Sequence, residues 1–498
     1  MLEVLTAKQM KACDAHAIED IGIPSAVLME RAAYAVSLEV MKTDGPVLVV
    51  CGTGNNGGDG YACARILHLE GRAVTVFAAG DPAHMTEETK AQAGILRKLG
   101  VPFSDDLHAS IKEASVIVDA LLGIGITRDV REPYAGIIEA MNAAKARTIS
   151  IDVPSGVHAD TGQIMGTAVR ADITVAIERV KPGLLLCPGA AAAGGIVIAR
   201  IGVPVPAQDP DIRVLEKKDL RQVLPARDPF GHKGTFGKVL LIAGSPGMCG
   251  AAYLSAAAAL HAGAGMVRIL TPEANRKILQ EMLPEAMLSA WQTADEAVTL
   301  LAQALSWADA LVCGPGIGRG EDAVRIVKTV LSTAALPLVL DADGLNALSG
   351  DASALDHYAG EIVITPHLGE MCALQGTTVS RIREHPLRFA ADFADAHNLT
   401  LVMKDARTIT ACPGGKIYIN ANGNSGMGTA GCGDVLSGIL GALIAAGTAP
   451  RAAAPAAVTL HAAAGDLAAK KEGTHYMTAR SVIAGLSGIL KEIEDDET

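Results

Sequence analysis

The chain has 498 residues, of which 50% are hydrophobic, 19% are charged and only 3% are aromatic, and its formal net charge is −12. At about 150 residues per domain, this length predicts two to four domains, and the composition excludes a disordered chain. The low aromatic content favours α/β layers over an aromatic-rich β-sandwich. The excess of acidic over basic residues gives no indication of the basic surface that is typical of nucleic-acid-binding proteins.

Nine cysteines stand singly along the chain, and no two have CxxC spacing. This pattern supports neither a disulfide framework nor a zinc ribbon and indicates a reducing compartment. The amino-terminal residues carry charges throughout and contain no apolar core of a signal peptide, so we predict a cytoplasmic protein. The uncharged stretch 239–267 is long enough to cross a membrane, but its five glycines and one proline predict strand, loop and helix instead.

Short apolar runs rich in β-branched residues recur along the chain, each followed by a glycine-bearing loop and a helical stretch. Continuous runs of this kind are typical of strands covered on both faces, and they predict parallel sheets with helices on both sides. Chemistry is then expected in the loops after the carboxyl ends of the strands. The predicted strands are Pro46–Cys51, Ala73–Ala78, Ser115–Ala120, Arg147–Val153 and Asp172–Ile177, then Lys238–Ala243, Val267–Thr271, Ala308–Cys313, Pro337–Asp341, Glu361–Thr365 and Thr400–Met403.

A segment rich in proline and charge, residues 203–235, separates the two sets of runs. Such a composition is typical of a linker between domains. The sequence therefore predicts one domain over residues 1–212 and a second over residues 213–498.

The first predicted strand runs into the loop GTGNNGGDG, residues 52–60, and a helix is predicted from Tyr61. Five glycines in nine residues let a backbone approach a ligand closely, and a helix N-terminus offers N–H groups to an anion. We interpret the loop as a phosphate or nucleotide loop, with a structural turn as the alternative. An NAD site of the Rossmann type is disfavoured, because it needs an acidic residue about 20 positions on. The first candidate here, Asp81, lies 29 residues after Gly52.

Two more strand ends in the first half carry carboxylates, Asp119 and Asp152. With Asn56 and Ser155 they are expected to converge beside the glycine loop, and such oxygen ligands suit a hard cation rather than zinc. The alternative is that both aspartates only cap the turns that follow. Lys181 is interpreted either as a solvated lysine or as a charge partner of Asp152. Asp152 itself is expected to lack a buried partner, so that its loss would cost little stability.

The densest signal in the second half is GNSGMGTAGCGDVLSGIL, residues 423–440. Its glycines place N–H groups against phosphates at the start of a helix. Asp434 then stands where it can take a proton from a hydroxyl group that attacks a phosphoryl group. The alternative for Asp434 is a simple partner of the helix dipole. The motif GxxxxGK[ST] is missing from the sequence, which excludes a Walker A site.

Other candidate turns follow the neighbouring strands of the second half. Each alone is more typical of structure than of function, but five at successive strand ends, facing one crevice, indicate a site. They are Gly244-Ser245 with Gly250-Ala251, Gly314–Gly318, Asp341–Gly344, Thr365–His367 with Glu370, and Lys404–Thr408.

These motifs resemble two known families. The first half resembles the NAD(P)H-hydrate epimerases, a Rossmann-like three-layer αβα fold, and the second half resembles the ribokinase-like ADP/ATP-dependent NAD(P)H-hydrate dehydratases. Together, in this order, they resemble the bifunctional NAD(P)H-hydrate repair enzymes over nearly the whole chain. The motifs of the first half are Leu28–Ala33, Asn55–Gly60, Val118–Asp129, Asp152–Gly156 and Lys181–Gly183. Those of the second half are His232–Ser245, Gly314–Gly318, Asp341–Asn346, Thr365–Glu370 and Gly428–Gly438.

The resemblance implies that the first domain interconverts the R and S hydrates of NADH and NADPH, and that the second dehydrates the S form with ADP or ATP and Mg²⁺. It also implies catalytic roles for Asp152 and Asp434, and a potassium ion bound by Asn56, Asp119 and Ser155. The implied hydrate contacts in the first domain are Asn55, Asn56, Gly57, Gly58, Asp59, Gly123, Ile124, Gly125, Ile126, Thr127, Arg128, Asp129 and Asp152. Those in the second are Ala251, Gly318, His367 and Asp434, and the nucleotide contacts are Lys404, Asp405, Ala406, Arg407, Thr408 and Gly433.

One departure from the family pattern is the run Asp405-Ala406-Arg407 after Lys404, where a glycine is expected next. The main alternative function is a vitamin-precursor kinase of the hydroxymethylpyrimidine or hydroxyethylthiazole type, with a non-catalytic first domain that serves only for binding. A dehydrogenase with a Rossmann site is a third. The expected partners are small molecules and further copies of the chain, with no nucleic acid and no membrane.

Overall fold

The computed structural model describes residues 1–205 and 211–495. The chain divides into two compact units, Glu3–Pro210 and Met1–Leu2 with Asp211–Thr498. The linker predicted at 203–235 includes residues 206–210, which lie outside the described residues. Each unit is described separately below.

The first unit is built around a seven-stranded parallel sheet with helices on both faces. Its strands lie in the order β4-β3-β2-β5-β6-β7-β8. After the initial strand β1 (Leu2–Val4), the elements are α1 (Ala7–Ala15), continued by a π-helix (His16–Asp20), then α2 (Ser25–Val40), β2 (Val47–Cys51), α3 (Asn55–Leu69), β3 (Val74–Ala78), α4 (Glu87–Lys98), β4 (Phe103–Ser104), α5 (Leu107–Glu113), β5 (Val116–Ala120), α6 (Tyr134–Asn142), β6 (Arg147–Ile151), β7 (Ile173–Ile177), α7 (Gly189–Ala193) and β8 (Gly195–Ala199).

Strand β2 shows why the predicted strands are apolar without alternation. Val47, Val49 and Cys51 enter one hydrophobic core, and Leu48 and Val50 enter another on the opposite face of the sheet. Because helices cover both faces, every residue of the strand is buried. The predicted three-layer α/β class is confirmed.

The glycine loop after β2 differs from its prediction. Helix α3 begins at Asn55 and not at Tyr61, so most of the glycine run is helical. A Cβ on Gly57 would lie 2.0 Å from the Gly52 carbonyl oxygen, and one on Gly60 would lie 2.4 Å from the Cβ of Ala120. These glycines therefore allow the helix to approach its own loop and strand β5. Gly54, at the helix N-terminus, has open space around it.

We expect Gly57→Ala and Gly94→Ala to change stability in opposite directions. The methyl group at position 57 meets a backbone oxygen that cannot rotate away, so the free energy of unfolding should fall by about 1–3 kcal/mol. Gly94 lies within α4 with nothing within 4 Å of an added Cβ. Alanine there should raise stability by about 0.5–1 kcal/mol. Urea unfolding of the two variants beside the parent protein measures both changes. Equal stabilities would contradict the packing role of Gly57.

The second unit carries a mixed sheet in which the strands run β9-β18-β17-β16-β15-β14-β13-β10-β11-β12. Its elements are β9 (Ile212–Val214), β10 (Lys238–Ile242), α8 (Cys249–His261), β11 (Met266–Pro272), α9 (Arg276–Met282), β12 (Met287–Trp291), α10 (Ala294–Leu305), β13 (Ala310–Cys313), α11 (Glu321–Thr333), β14 (Leu338–Leu340), α12 (Asp343–Asn346), β15 (Ile362–Ile364), α13 (Leu368–Gln375), α14 (Val379–Glu384), α15 (Pro386–Ala396), β16 (Thr400–Met403), β17 (Ile409–Cys412), β18 (Lys416–Ile419), α16 (Cys432–Ala445), α17 (Pro450–Glu472) and α18 (Ala479–Asp495).

The predicted parallel pairing is confirmed for β10 to β16, but one edge of this sheet is not parallel. Strands β10 to β16 pair in parallel, but β16, β17 and β18 form an antiparallel meander. The connections within the meander are too short for a helical crossover, so the strands must reverse direction. Strands β17 and β18 were not predicted from the sequence.

Small residues bring the helices of this unit close together. A Cβ on Gly438 of α16 would lie 2.0 Å from the Ser255 carbonyl oxygen of α8. Such close helix contacts explain the many alanines and glycines of the composition. Within the described residues, no helix combines the length and the apolar character that a membrane span requires.

Candidate active sites

Asp119 lies near the end of β5 and is completely buried. Its Oδ1 accepts hydrogen bonds from the Ser155 hydroxyl at 2.6 Å and the Leu121 N–H at 3.3 Å. Its Oδ2 accepts from the Ser150 hydroxyl and the Ser155 N–H, each at 2.8 Å. Burial raises the pKa of the Asp119 carboxyl, and these hydrogen bonds oppose the rise. Among residues 1–205 and 211–495, no Lys or Arg side chain forms an ion pair with it.

Asn56 and Ser155 meet at the backbone of Leu122. The Leu122 N–H donates to the Ser155 Oγ at 2.8 Å, and the Asn56 side-chain amide donates to the Leu122 carbonyl at 3.0 Å. A Cβ on Gly123 would lie 3.3 Å from that of Asn56. The structure thus brings Asn56, Asp119 and Ser155 together, next to the loop that begins at Gly123.

Asp152 directly follows β6 and has a positive φ of 64°, a conformation that is strained for a non-glycine residue. Its Oδ1 accepts hydrogen bonds from the Ile177 N–H at 2.9 Å and from the Lys181 ammonium. Lys181 is fully buried and also donates to the Ile177 carbonyl at 2.7 Å. The prediction that Asp152 lacks a buried partner is therefore wrong. Of the two alternatives for Lys181, the charge partner is confirmed.

Two further carboxyl groups interact electrostatically with Asp152, those of Asp14 and Asp59. Burial raises the pKa of Asp14 to about 6, with a contribution from the charges of Asp152 and Glu178 that Lys181 opposes. Burial also raises the pKa of Asp59 well above its ordinary value, and Asp152 and Asp14 add to the rise. The sequence analysis named Asp59 but missed Asp14, because no motif surrounds it and an acidic helix residue is usually solvated.

The other predicted contacts of this half differ in exposure. Gly57 and Gly58 are buried and face the protein, whereas Asn55 lies open at the start of α3. In the loop after β5, Ile124 packs against the hydrophobic cluster that includes Cys13 of α1. Ile126 is partly buried, and the exposed members of this loop are Gly125, Thr127, Arg128 and Asp129.

In the second unit, a buried ion pair joins two strand ends. Asp341, directly after β14, accepts hydrogen bonds from the Lys404 Nζ at 2.7 Å and from the Ser437 hydroxyl of α16. Burial lowers the pKa of Lys404, but the negative charges of Asp341, Glu370 and Asp434 outweigh it and leave the pKa raised. A Cβ on Gly433 would lie 3.4 Å from the Lys404 Nζ, so the glycine loop passes directly over this pair.

Asp434 lies in the first turn of α16, just after Gly431, whose φ of 92° favours glycine. Burial, together with the charges of Asp341 and Asp343, raises the pKa of the Asp434 carboxyl to about 7, although Lys404 opposes the rise. A carboxyl group with a pKa near the ambient pH is suited to exchange protons.

The remaining predicted residues of this crevice come from three neighbouring loops. The Gly318 N–H donates to the Asp343 Oδ2 at 3.1 Å, and a Cβ on Gly316 would lie 2.7 Å from that of Ala251 in α8. His367 caps α13 by accepting a hydrogen bond from the Glu370 N–H at 3.1 Å, and its side chain remains 60% exposed. The crevice therefore has an open mouth and a charged, buried floor.

The segment after Lys404 is a turn at the sheet edge. The Lys404 N–H donates to the Pro366 carbonyl at 2.8 Å, Asp405 pairs with Arg383 at 3.3 Å, and Arg407 donates to the Ala421 carbonyl. Ala406 and Thr408 complete the turn.

Both halves of the chain match known families. Residues 239–487 match a family model described as NAD(P)H-hydrate dehydratase, and residues 25–183 match the YjeF-related protein N-terminus. The bifunctional NAD(P)H-hydrate repair enzyme of Moorella thermoacetica is 37% identical, over 99% of this chain and 97% of that protein. The protein of the same name from Escherichia coli is 33% identical, over 98% of this chain and 94% of that protein. The chain belongs to the bifunctional NAD(P)H-hydrate repair enzymes.

A solved structure supports the same assignment for the second half of this repair enzyme. The ADP/ATP-dependent NAD(P)H-hydrate dehydratase of Bacillus subtilis, co-crystallised with ATP and Mg²⁺, is 30% identical with a TM-score of 0.51. It covers 57% of this chain, and 99% of its own length is matched. The resemblance inferred from the motifs is confirmed in both halves. The vitamin-precursor kinase is not supported, because it leaves the match over residues 25–183 unexplained.

Proposed function

We propose that this repair enzyme epimerises the R and S hydrates of NADH and NADPH in domain 1–212 and dehydrates the S hydrate with ADP or ATP in domain 213–498. The observation that carries the proposal is Asp434, a carboxyl group with a pKa of about 7 at the start of α16, beside the buried Asp341–Lys404 pair. A glycine-rich loop leads directly into this helix and offers its N–H groups to phosphates.

Dehydration requires the loss of hydroxide, which is a poor leaving group at neutral pH. Asp434 takes the proton from the C6 hydroxyl group, and the hydroxyl oxygen attacks the terminal phosphoryl group of the nucleotide. The C6–O bond of the phosphorylated hydrate then breaks as the ring nitrogen supplies an electron pair and phosphate leaves. Loss of a proton from C5 to water restores the C5–C6 double bond of NADH or NADPH. Gly433 and Lys404–Thr408 are proposed to hold the nucleotide, and Ala251, Gly318 and His367 the hydrate.

Mg²⁺ is proposed to accompany the nucleotide and to neutralise phosphate charge when bound. Within the described residues, no group of three or more Asp, Glu, His or Cys is arranged to hold a metal ion. This fits an ion held mainly by phosphate oxygens and water, which is common for Mg²⁺.

In the first domain we propose Asp152 as a proton-transfer group, with the hydrate held by the loops 55–59 and 123–129. The strained backbone of Asp152 and its buried Lys181 partner hold the carboxylate in one orientation.

We propose a potassium ion beside Asn56, Asp119 and Ser155. The residues fit this ion, because a single buried carboxylate is surrounded by neutral oxygens and has no basic partner among the described residues. Mg²⁺ usually sits with several carboxylates or with phosphates, whereas this buried cluster offers a single carboxylate.

We expect KCl to raise the melting temperature of the protein more than NaCl or choline chloride at equal ionic strength. A bound ion that leaves on unfolding stabilises the folded state by mass action. The variant Asp119→Asn removes the charge and should lose the difference between the salts. An ion refined beside Asp119 with octahedral ligands at about 2.1 Å, the geometry of Mg²⁺, would contradict the assignment.

We also propose a cytoplasmic location, small-molecule partners without nucleic acid or membrane, and a homo-oligomer. The expected oligomer is testable by light scattering of the purified chain.

The proposed function is tested by adding the protein to acid-treated NADH and following the return of reduced-nicotinamide absorbance. Both hydrates should return to NADH when ADP or ATP is present, and neither should return to NADH without nucleotide. A vitamin-precursor kinase would instead phosphorylate a hydroxymethylpyrimidine or hydroxyethylthiazole and leave the hydrates untouched.

A further inference from the structure

Helix α1 is fixed beside the Asp152–Lys181 pair. The Leu5 N–H donates to the Val180 carbonyl at 3.0 Å, directly before Lys181, and the Ala7 N–H donates to the Asp160 Oδ1 at 2.6 Å. On the same helix, Cys13 packs into a hydrophobic cluster that also contacts Ile124 and Ile177. Asp14, the next residue of this helix, is partly buried and interacts electrostatically with Lys181 and Asp152.

The carboxyl groups around Lys181 outnumber its single positive charge. Its ammonium donates to Asp152 and to the Ile177 carbonyl, yet the carboxyl groups of Asp14 and Asp59 also interact with this pair. Neither Asp14 nor Asp59 has a hydrogen-bond partner among the residues that the structure describes. Like charges in one enclosure favour protonation of some of the carboxyl groups. Asp14 can thus hold a proton beside the Asp152–Lys181 pair.

The chemistry of epimerisation needs two such groups. C6 of the hydrate carries a hydroxyl group and the ring nitrogen N1, so it is a hemiaminal. Its inversion is possible if a base removes the hydroxyl proton, the C6–N1 bond breaks with its electron pair on N1, and an acid protonates N1. Rotation of the resulting aldehyde about the C5–C6 bond and closure on its other face, with both protons returned, gives the other epimer. No oxidant or reductant is required.

We propose that Asp14 is the second proton-transfer group of the epimerase, which gives a proton to N1 while Asp152 accepts the hydroxyl proton. The proposal rests on the epimerase activity proposed above. Asp14 and Asp152 exchange roles when the ring closes, so the pair returns to its starting state. The π-helix that follows α1 is consistent with a functional position, because such segments are frequent at functional sites.

The pH dependence follows from the groups that face Asp14. Its pKa of about 6 means that the protonated, active form is lost as the pH rises above that value. The rate of epimerisation should therefore fall on the alkaline side. The titratable groups near Asp14 are Lys181, Asp152, Glu178, Asp59 and Cys13, and Glu178 is paired with Arg179.

The test compares Asp14→Asn with Glu19→Gln, an exposed acidic residue of the adjoining π-helix. The full-length proteins are given purified R hydrate or S hydrate with ADP. D14N should consume the R hydrate about 10²–10⁴-fold more slowly than the parent protein and lose the alkaline fall in its pH profile. E19Q should match the parent on both hydrates.

A thermal unfolding curve of D14N that matches the parent's shows that the first unit is folded, and Asp14→Glu, which keeps an acid, should recover part of the rate. An unchanged R-hydrate rate in D14N would overturn the proposal. A slower rate with the parent's pH profile would make Asp14 a positioning residue and overturn it as well. If the parent protein does not consume the R hydrate faster than the spontaneous rate, the proposed epimerase function is wrong. This result needs no variant and is therefore distinct from a failure of the proposal for Asp14.

Discussion

Replacing Asp434 by asparagine is expected to slow nucleotide-dependent dehydration by about 10²–10⁴-fold, the usual loss when a positioned base is removed. Epimerisation should be unchanged, because Asp152 and Asp434 belong to units with separate cores. The measurement is the consumption of purified S hydrate with ADP, beside the conversion of R to S hydrate followed without nucleotide.

A matched control is Asp392→Asn, an exposed residue of α15 in the same unit that pairs with Arg388 at the surface. It should dehydrate the S hydrate at the parent rate. Dehydration at the parent rate by D434N would show that phosphoryl transfer does not depend on this carboxylate.

The pH dependence of dehydration should follow the same carboxyl group. Asp434 must be ionised to act as a base. Because burial and Asp341 raise the pKa of its carboxyl group to about 7, the rate should fall as the pH drops below that value. Asp343→Asn removes one negative neighbour and should move this fall to lower pH. If the acidic side of the pH–rate profile were unchanged in D343N, a group other than Asp434 would control the pH dependence.

The same shift has a consequence for stability. Because the pKa of Asp434 is higher in the folded state than the ordinary value of about 4, the folded protein binds more protons between these values. Its contribution to the free energy of unfolding therefore falls as the pH rises from about 4 to 7. D434N should lose this part of the pH dependence and melt higher than the parent at pH 8.

Removal of the Asp152 carboxylate is expected to abolish the conversion of the R hydrate beyond its spontaneous rate and to leave S-hydrate dehydration intact. The variant of choice is Asp152→Asn. Its side-chain oxygen can still accept from the Ile177 N–H and from Lys181, the two bonds that Asp152 makes in the structure. Asp152→Ala should also destabilise its unit by about 3–5 kcal/mol, because it leaves the buried Lys181 ammonium with neither the counter-ion nor the hydrogen-bond acceptor of this side chain.

Asp44→Asn, at an exposed position before β2, is the control within the same unit. It should convert the R hydrate at the parent rate. Equal loss of R and S turnover in a folded D152N protein would contradict the division of work between the two domains.

The sequence alone was sufficient for the layered α/β architecture and for the residues at the strand ends. Apolar runs without alternation can be satisfied only when both faces of a sheet are covered, as β2 shows with its two cores. Glycine and aspartate after such runs predicted the crevices that hold Asp119, Asp152, Asp341 and Asp434, since parallel strands end at one edge of a sheet.

Helix α3, the antiparallel edge and the neighbours of the carboxylates were decided only by the tertiary structure. The glycine-rich sequence of residues 52–60 predicts an open loop, but in the folded protein most of these residues are helical and pack against β5. The partners that raise the pKa of Asp434, Asp341 and Asp343, lie some 90 residues away in the chain, and Asp14 lies far from Asp152. Sequence patterns report local conformation and burial, whereas a pKa depends on charges that only the folded chain brings within a few ångströms.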